Sequence, residues 1–452
     1  MRRVLLLLAI ASLWTHAGTQ AWAQAPAESS PRDRQRNLDS FEKVWSTVRD
    51  KHWEKNPGGL DWQAIHAEFR PRAEQAKNIE EVRAVLKEML SRLHQTHFGI
   101  LPAIVYEDVD ALGDDAGGAG SAGIDLRILD GQAVVTRIDP GSPAERAGVK
   151  PGWAVELANG QNLQAAASAL AADPSIPEII STRVLLGRIS GPVGGKTHIT
   201  FLDGAGMEAK RDLDLAAPRG EMSSFGNLPE TAVWFESKTI SSSGATEPGS
   251  TGVGQAAVGY VRFNYFLDLQ NVMENFGGAV KACRNCAGMI VDLRGNPGGI
   301  GAMAMGMAGY FLDEPGLRLG TMYMRDAQLN FAVNPRFPGF AGPLAILVDA
   351  CSASTSEIFA GGLQDLHRAR IFGTRSAAAA LPSVIERLPN GDAFQYAVGN
   401  YISEGGKPLE GEGVKPDGEV KLTRAALLAG RDAVIDAALS WIDKDGIGKA
   451  PK

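Results

Sequence analysis

Residues 344–363 join a short apolar run, Leu344-Ala345-Ile346-Leu347-Val348-Asp349, to Cys351-Ser352-Ala353-Ser354-Thr355-Ser356-Glu357 and then to the apolar Ile358-Phe359-Ala360. The pattern is that of a buried strand, a turn of small residues and a helix N-terminus. A serine on such a turn sits where free backbone N–H groups and the positive end of the helix dipole favour developing negative charge. Ser354 is therefore the candidate nucleophile for attack on a carbonyl. A second reading stands beside it: three serines before a glutamate cap a helix, with Glu357 reaching back as in a capping box. Upstream, Asp292-Leu293-Arg294-Gly295-Asn296-Pro297-Gly298-Gly299 forms a glycine-rich turn after another apolar strand. It carries neither the lysine of a P-loop nor G-x-G-x-x-G spacing, which disfavours phosphate binding. The chemistry it suits is an oxyanion hole, with a backbone N–H near Gly298 or Gly299 and that of Thr355 converging on one oxygen. A plain strand-to-helix turn remains open on local grounds. The G-x-S-x-G elbow of α/β-hydrolases is absent.

The other chemistry-bearing residues are few. His94 and His97 end a helical stripe made by Val82, Val85, Leu86, Met89, Leu90 and Leu93, and by position alone each reads as a dipole partner or a polar surface group. Cys283 and Cys286 make one C-x-x-C with no second half for a zinc site, which favours two buried or locally bridged residues. Cys351, coming straight off an apolar strand, reads as packing.

These residues must be positioned by a chain of 452 residues, too long for one ordinary core. Met1 to Ala23 reads as a secretory signal peptide, with Arg2 and Arg3, an apolar centre and Ala21-Trp22-Ala23 as cleavage site, so an exported, periplasmic protein is expected. Removing this leader takes the formal charge from -7 to about -9, which argues against nucleic acid and anionic membrane partners, and no later stretch is long enough for an integral membrane segment. Residues 24–109 read as an N-terminal helical region. Residues 110–121 and 241–254 are glycine- and serine-rich loops. Between them, two apolar runs flank Asp130-Gly131 as a hairpin, followed over residues 139–152 by a turn, a one-to-two-turn helix and another turn, and then by further strands, the last at residues 197–201. Strands and helices then alternate from residue 258, as in an α/β core. Residues 383–388 and 393–398 form a hairpin expected to cover one edge of that core, and residues 423–441 a closing helix.

Gly141-Ser142-Pro143-Ala144, Ala147-Gly148-Val149 and Pro151-Gly152 resemble a PDZ domain, with Trp153 where an acidic residue is common. That resemblance implies a groove taking a peptide as an added strand near Ala122-Gly123-Ile124. Together with Asp292 to Gly299, residues 352–361, Gln364-Asp365 and the run from Gly405 to Asp417, the chain resembles the tail-specific, C-terminal-processing serine peptidases (S41-like). The resemblance implies a multidomain α+β protein. Its parts are a signal peptide at 1–23, a helical layer at 24–109, a PDZ-like domain at 110–215, a linker or insertion at 216–257 and a ClpP/crotonase-like α/β peptidase core at 258–445. It implies Ser354 as nucleophile, a peptide or protein substrate, and no metal or organic cofactor. Many members place a lysine base in the turn after the next strand, where this chain has Ala379, and alanine accepts no proton. The segment Leu93-His94-Gln95-Thr96-His97-Phe98-Gly99 is similar to that of lysine-lacking relatives such as the nisin-resistance proteins, which points to His97 as the base. Glu357 would orient groups at the site or cap the helix. The alternative is an inactive relative that only binds peptides.

Overall fold

The computed structural model describes residues 28–103, 119–173, 176–228, 230–241 and 257–445. The leader, most of the first glycine-rich loop and nearly all of the second lie outside these residues. Three amphipathic helices, Pro31–Lys51, Trp62–Gln75 and Ile79–Ser91, begin at side-chain caps Ser30, Asp61 and Asn78. Their apolar faces bury Phe41, Val44, Phe69, Leu86 and Met89 in one core. Trp45 and Trp62 lock the first two together, each indole N–H donating to the other's carbonyl at 2.9 and 3.0 Å.

The middle of the chain is β-rich, a sheet in the spatial order 124–129, 132–138, 154–158, 196–202 and 208–214. Asp130 and Gly131 both take positive φ, 50° and 75°, as a two-residue hairpin turn requires. Two further helices, Leu163–Ala172 and Glu178–Ile189, pack on this sheet, and the strand Glu208–Asp214 adds to its far side. None of these three was anticipated. Strand 124–129 lies at the open edge of the sheet, flanked by the helix Glu178–Ile189.

The α/β core holds a second sheet in the order 235–241, 257–263, 288–292, 344–348, 370–373 and 418–419; the first pair is antiparallel and the rest parallel. Strands Gly288–Asp292 and Leu344–Val348 are buried at every position, as strands covered on both faces must be. They are neighbours in register, Met289 opposite Leu344 and Asp292 opposite Leu347. The glycine-rich turn and the serine turn therefore leave from adjacent carboxyl ends, where open α/β sheets hold their ligands.

Two expectations change here. The hairpin at 383–397 does not edge the core sheet: it pairs with Gly99–Leu101 and contributes Leu388, Phe394 and Tyr396 to the helical layer's core. The closing helix is two, Arg424–Leu428 and Ala433–Asp445, broken where Gly430 takes φ +72°.

Candidate active site

The two turns are stitched into one body. Ser352 Oγ donates to Leu293 O at 2.8 Å, Ser356 Oγ to Asn296 O at 2.9 Å and Thr355 Oγ1 to Gly299 O at 2.8 Å, while Ala353 N–H reaches Asn296 O at 3.1 Å. Ser352 and Ser356 are thus spent on structure. Ser354 differs: it is the N-cap of the helix Thr355–Asp365, its side chain makes no cap hydrogen bond, and its backbone holds φ 54°, ψ -116°. A non-glycine residue in that region is strained by roughly 1–3 kcal/mol and persists because its surroundings fix it.

Gly298 lies so close that a β-carbon there would stand 2.8 Å from both Ser354 Cβ and Thr355 N. Its own N–H donates to Asn296 Oδ1 at 2.9 Å and so is already taken. The N–H groups of Gly299 and of Thr355, the first of its helix, are left as the pair available to a developing oxyanion.

Glu357 is fully buried and accepts from Ser354 N (3.0 Å), Ala379 N (3.0 Å), Ala378 N (2.9 Å) and Ser376 Oγ (2.6 Å). Burial raises its carboxyl pKa to about 7, and these four donors oppose the rise. Glu357 reaches back to the N-cap N–H of Ser354 and also clamps the turn that carries Ala379, whose carbonyl accepts Ser354 N–H at 2.8 Å.

The helical layer is tied to the same turn through Glu410. The strand Gly99–Leu101 fixes the chain just after His97, and His97 itself is held at φ 60°. Glu410 accepts from Thr96 N and Thr96 Oγ1, both at 2.9 Å, and from Ala380 N at 3.0 Å. Thr96 Oγ1 lies 2.7 Å from His97 Nδ1. An ionised Glu410 only accepts, so the Thr96 hydroxyl gives it its hydrogen and takes one from His97 Nδ1–H. That tautomer leaves Nε2 with the basic lone pair. Burial, with the charge of Arg183 second, lowers the His97 pKa to about 4, so the imidazole is neutral near pH 7. Ala379 and Ala380, adjacent residues, thus carry the serine turn on one side and the Glu410–Thr96–His97 chain on the other.

A third body reaches the same place. Arg127, on the strand Ile124–Leu129, donates to Asp349 Oδ2 at 2.8 Å, and Asp349 Oδ1 accepts from Gly295 N at 2.9 Å and Cys351 N at 3.0 Å. Asp349 thereby ties both turns to the middle of the chain. Ala122 and Ile124 are buried and Gly123 holds φ +78°; a β-carbon at Gly123 would meet Ser142 Cβ at 2.2 Å. These three sit at the start of the open edge strand, and Ile124 lines a cavity shared with Gly295, Pro297 and Cys351 of the two turns. Cys351 is packed with its thiol pKa raised by burial to about 12, and Cys283 and Cys286 form a disulfide.

Sequence reasoning missed Thr96, Asp349 and Glu410. Glu410 stands in the glycine-rich run that carried part of the resemblance, but nothing in its local pattern pairs it with a threonine 314 residues away. No cluster of His, Cys, Asp and Glu suited to a metal ion occurs among the described residues.

Residues 257–420 match the model of peptidase family S41, and residues 33–91 match the tricorn protease C1 domain. A carboxyl-terminal-processing protease of Synechocystis sp. is 24% identical over 405 residues, 88% of this chain and 85% of that protein. A probable CtpA-like serine protease of Staphylococcus aureus is 25% identical over 300 residues, 65% of this chain; the match spans about half, 51%, of that relative. Among solved structures, a photosystem II D1 C-terminal processing protease superposes with TM-score 0.55 at 20% identity, covering 91% of this chain and 98% of the other. Mature CPAF complexed with lactacystin superposes with TM-score 0.58 at 14% identity, covering 91% and 98%. Residues 257–420 thus carry the peptidase family S41 match, with a serine on the turn that follows the fourth strand of this core, and the chain as a whole is similar to the carboxyl-terminal-processing proteases.

Proposed function

We propose that the protein is an exported serine endopeptidase in which His97 replaces the lysine base absent at Ala379. The observation that carries this reading is the chain from Glu410 through Thr96 to His97 Nδ1, which leaves Nε2 as the basic nitrogen on a segment built beside the serine turn. In this reading Nε2 takes the Ser354 proton as Oγ attacks the peptide carbonyl. The N–H groups of Gly299 and Thr355 hold the oxyanion, and His97 returns the proton to the leaving amine. Glu357 acts as a positioning residue, because all of its contacts are to the turns and none to the reacting atoms.

The middle of the chain is read as a PDZ-like domain. Its open edge strand from Ile124, beside the helix Glu178–Ile189, suits a peptide added as a further strand. The Cys283–Cys286 disulfide and the leader-like first 23 residues support export to an oxidising compartment such as the periplasm. Among the described residues no helix is long and apolar enough to cross a membrane. A binding-only role is not favoured, since it leaves the Thr96–Glu410 arrangement without a purpose.

Mass spectrometry of a denatured protein substrate tests the reading. Internal cleavage products that vanish in Ser354→Ala are expected; products shortened only by single C-terminal residues would replace endopeptidase by carboxypeptidase.

A further inference from the structure

A cavity of about 260 Å³ lies between the edge strand and the core, with Ile124, Ile179 and Leu186 on one side and Gly295 and Pro297 on the other. Five arginines line it: Arg127, Arg137, Arg183, Arg262 and Arg294. Four are already matched by carboxylates. Arg127 meets Asp125 at 2.7 Å and Asp349 at 2.8 Å, and Arg137 meets Asp139 at 2.7 Å. Arg262 lies 3.7 Å from Asp125 and 3.8 Å from Asp292, and Arg294 meets Asp292 at 2.6 Å and Asp432 at 2.8 Å.

Arg183 is different. It is exposed and has no carboxylate partner among the described residues. It projects from the helix Glu178–Ile189 that flanks the open edge strand, and its charge is felt at His97. An unpaired guanidinium at the junction of a peptide groove and a catalytic turn offers a planar fork of donors for one incoming carboxylate.

We propose that Arg183 is a specificity-determining residue that recognises an acidic side chain, Asp or Glu, of the peptide passing from the edge strand to Ser354. This rests on the peptidase reading. The substrate side chain supplies the carboxylate that each neighbouring arginine already has, while the apolar wall of Ile124, Ile179 and Leu186 takes adjoining side chains. Because the guanidinium is accessible, the gain is that of a partly solvated ion pair, about fivefold in kcat/KM.

The test uses C-terminally amidated fluorogenic peptides in which Glu, Gln or Lys is placed in turn at each position around the scissile bond, cleaved by the wild type, Arg183→Gln and Arg183→Glu. At one position the wild type is expected to favour Glu over Gln about fivefold, Arg183→Gln to lose the preference, and Arg183→Glu to invert it towards Lys. Equal Glu/Gln ratios in all three proteins overturn the inference while leaving the peptidase intact, as does a preference that follows a free C-terminal carboxylate and not the side chain. If the wild type cleaves none of the peptides, the peptidase reading fails separately. Fluorescence anisotropy of the same peptides on Ser354→Ala, with and without Arg183→Gln, then decides: a Glu preference lost with Arg183 supports recognition, and no difference refutes it.

Discussion

Glu410 holds Thr96 by both its N–H and its hydroxyl, each at 2.9 Å, across 314 residues of sequence. This two-point grip orients the Thr96 oxygen towards His97 Nδ1, 2.7 Å away, and so decides which imidazole nitrogen is basic. Thr96→Val removes the oxygen at nearly constant volume. It should lower kcat by about 10- to 100-fold with little change in KM, and Thr96→Ser should restore most of the loss. Steady-state kinetics on the three proteins check this; a Val variant with wild-type kcat would remove Thr96 and Glu410 from the mechanism.

The low basicity of His97 gives a pH signature. In the proposed mechanism activity needs the neutral ring, so the acid limb of kcat/KM should lie near pH 4 to 5, well below the usual histidine value of 6.5. The same shift acts on stability. With the folded pKa of about 4 below the ordinary 6.5, the contribution is full above pH 6.5 and is lost as the pH falls through about 4. His97→Gln should therefore flatten the decline in melting temperature over that window, which calorimetry at several pH values would register.

Glu357 anchors four donors, and Glu357→Gln turns its amide hydrogens towards groups that also donate. A loss of about 1–3 kcal/mol is expected from the unmet hydrogen bonds. Denaturant titration would reveal it; unchanged stability would mean that the turn at residues 376–379 is held by other contacts.

Much of this architecture was legible from local pattern. Strand 344–348, the serine turn and the following helix came from an apolar run, small residues and a capping glutamate. The hairpin 124–138 came from Asp130-Gly131. Local pattern fails where contacts are distant: Glu410 looks like any acid between Leu409 and Gly411, and the hairpin at 383–397 shows no sign in its own sequence that its partner is Gly99–Leu101. The helix Leu163–Ala172, built mostly of alanine, lacks a contrasting polar face to mark it. By contrast, Gly430 is a stop signal that the continuous apolar stripe around it masked.

The glycines of the upstream turn are sterically obligatory. At Gly299, φ +142° and a Phe266 carbonyl oxygen 2.3 Å from the position of a β-carbon leave no room for a methyl group. Gly299→Ala should displace the proposed oxyanion donor and reduce kcat by about 100-fold. A crystal structure of the variant with the loop unmoved, or full activity, would show that the hole is built elsewhere.

The central claim is that Ser354 is a nucleophile activated by His97, and covalent labelling with a fluorophosphonate addresses it directly. Labelling of the intact protein at Ser354 is expected, absent in Ser354→Ala and strongly slowed in His97→Ala. Labelling that survives Ser354→Ala, or proceeds at the wild-type rate in His97→Ala, would contradict the account.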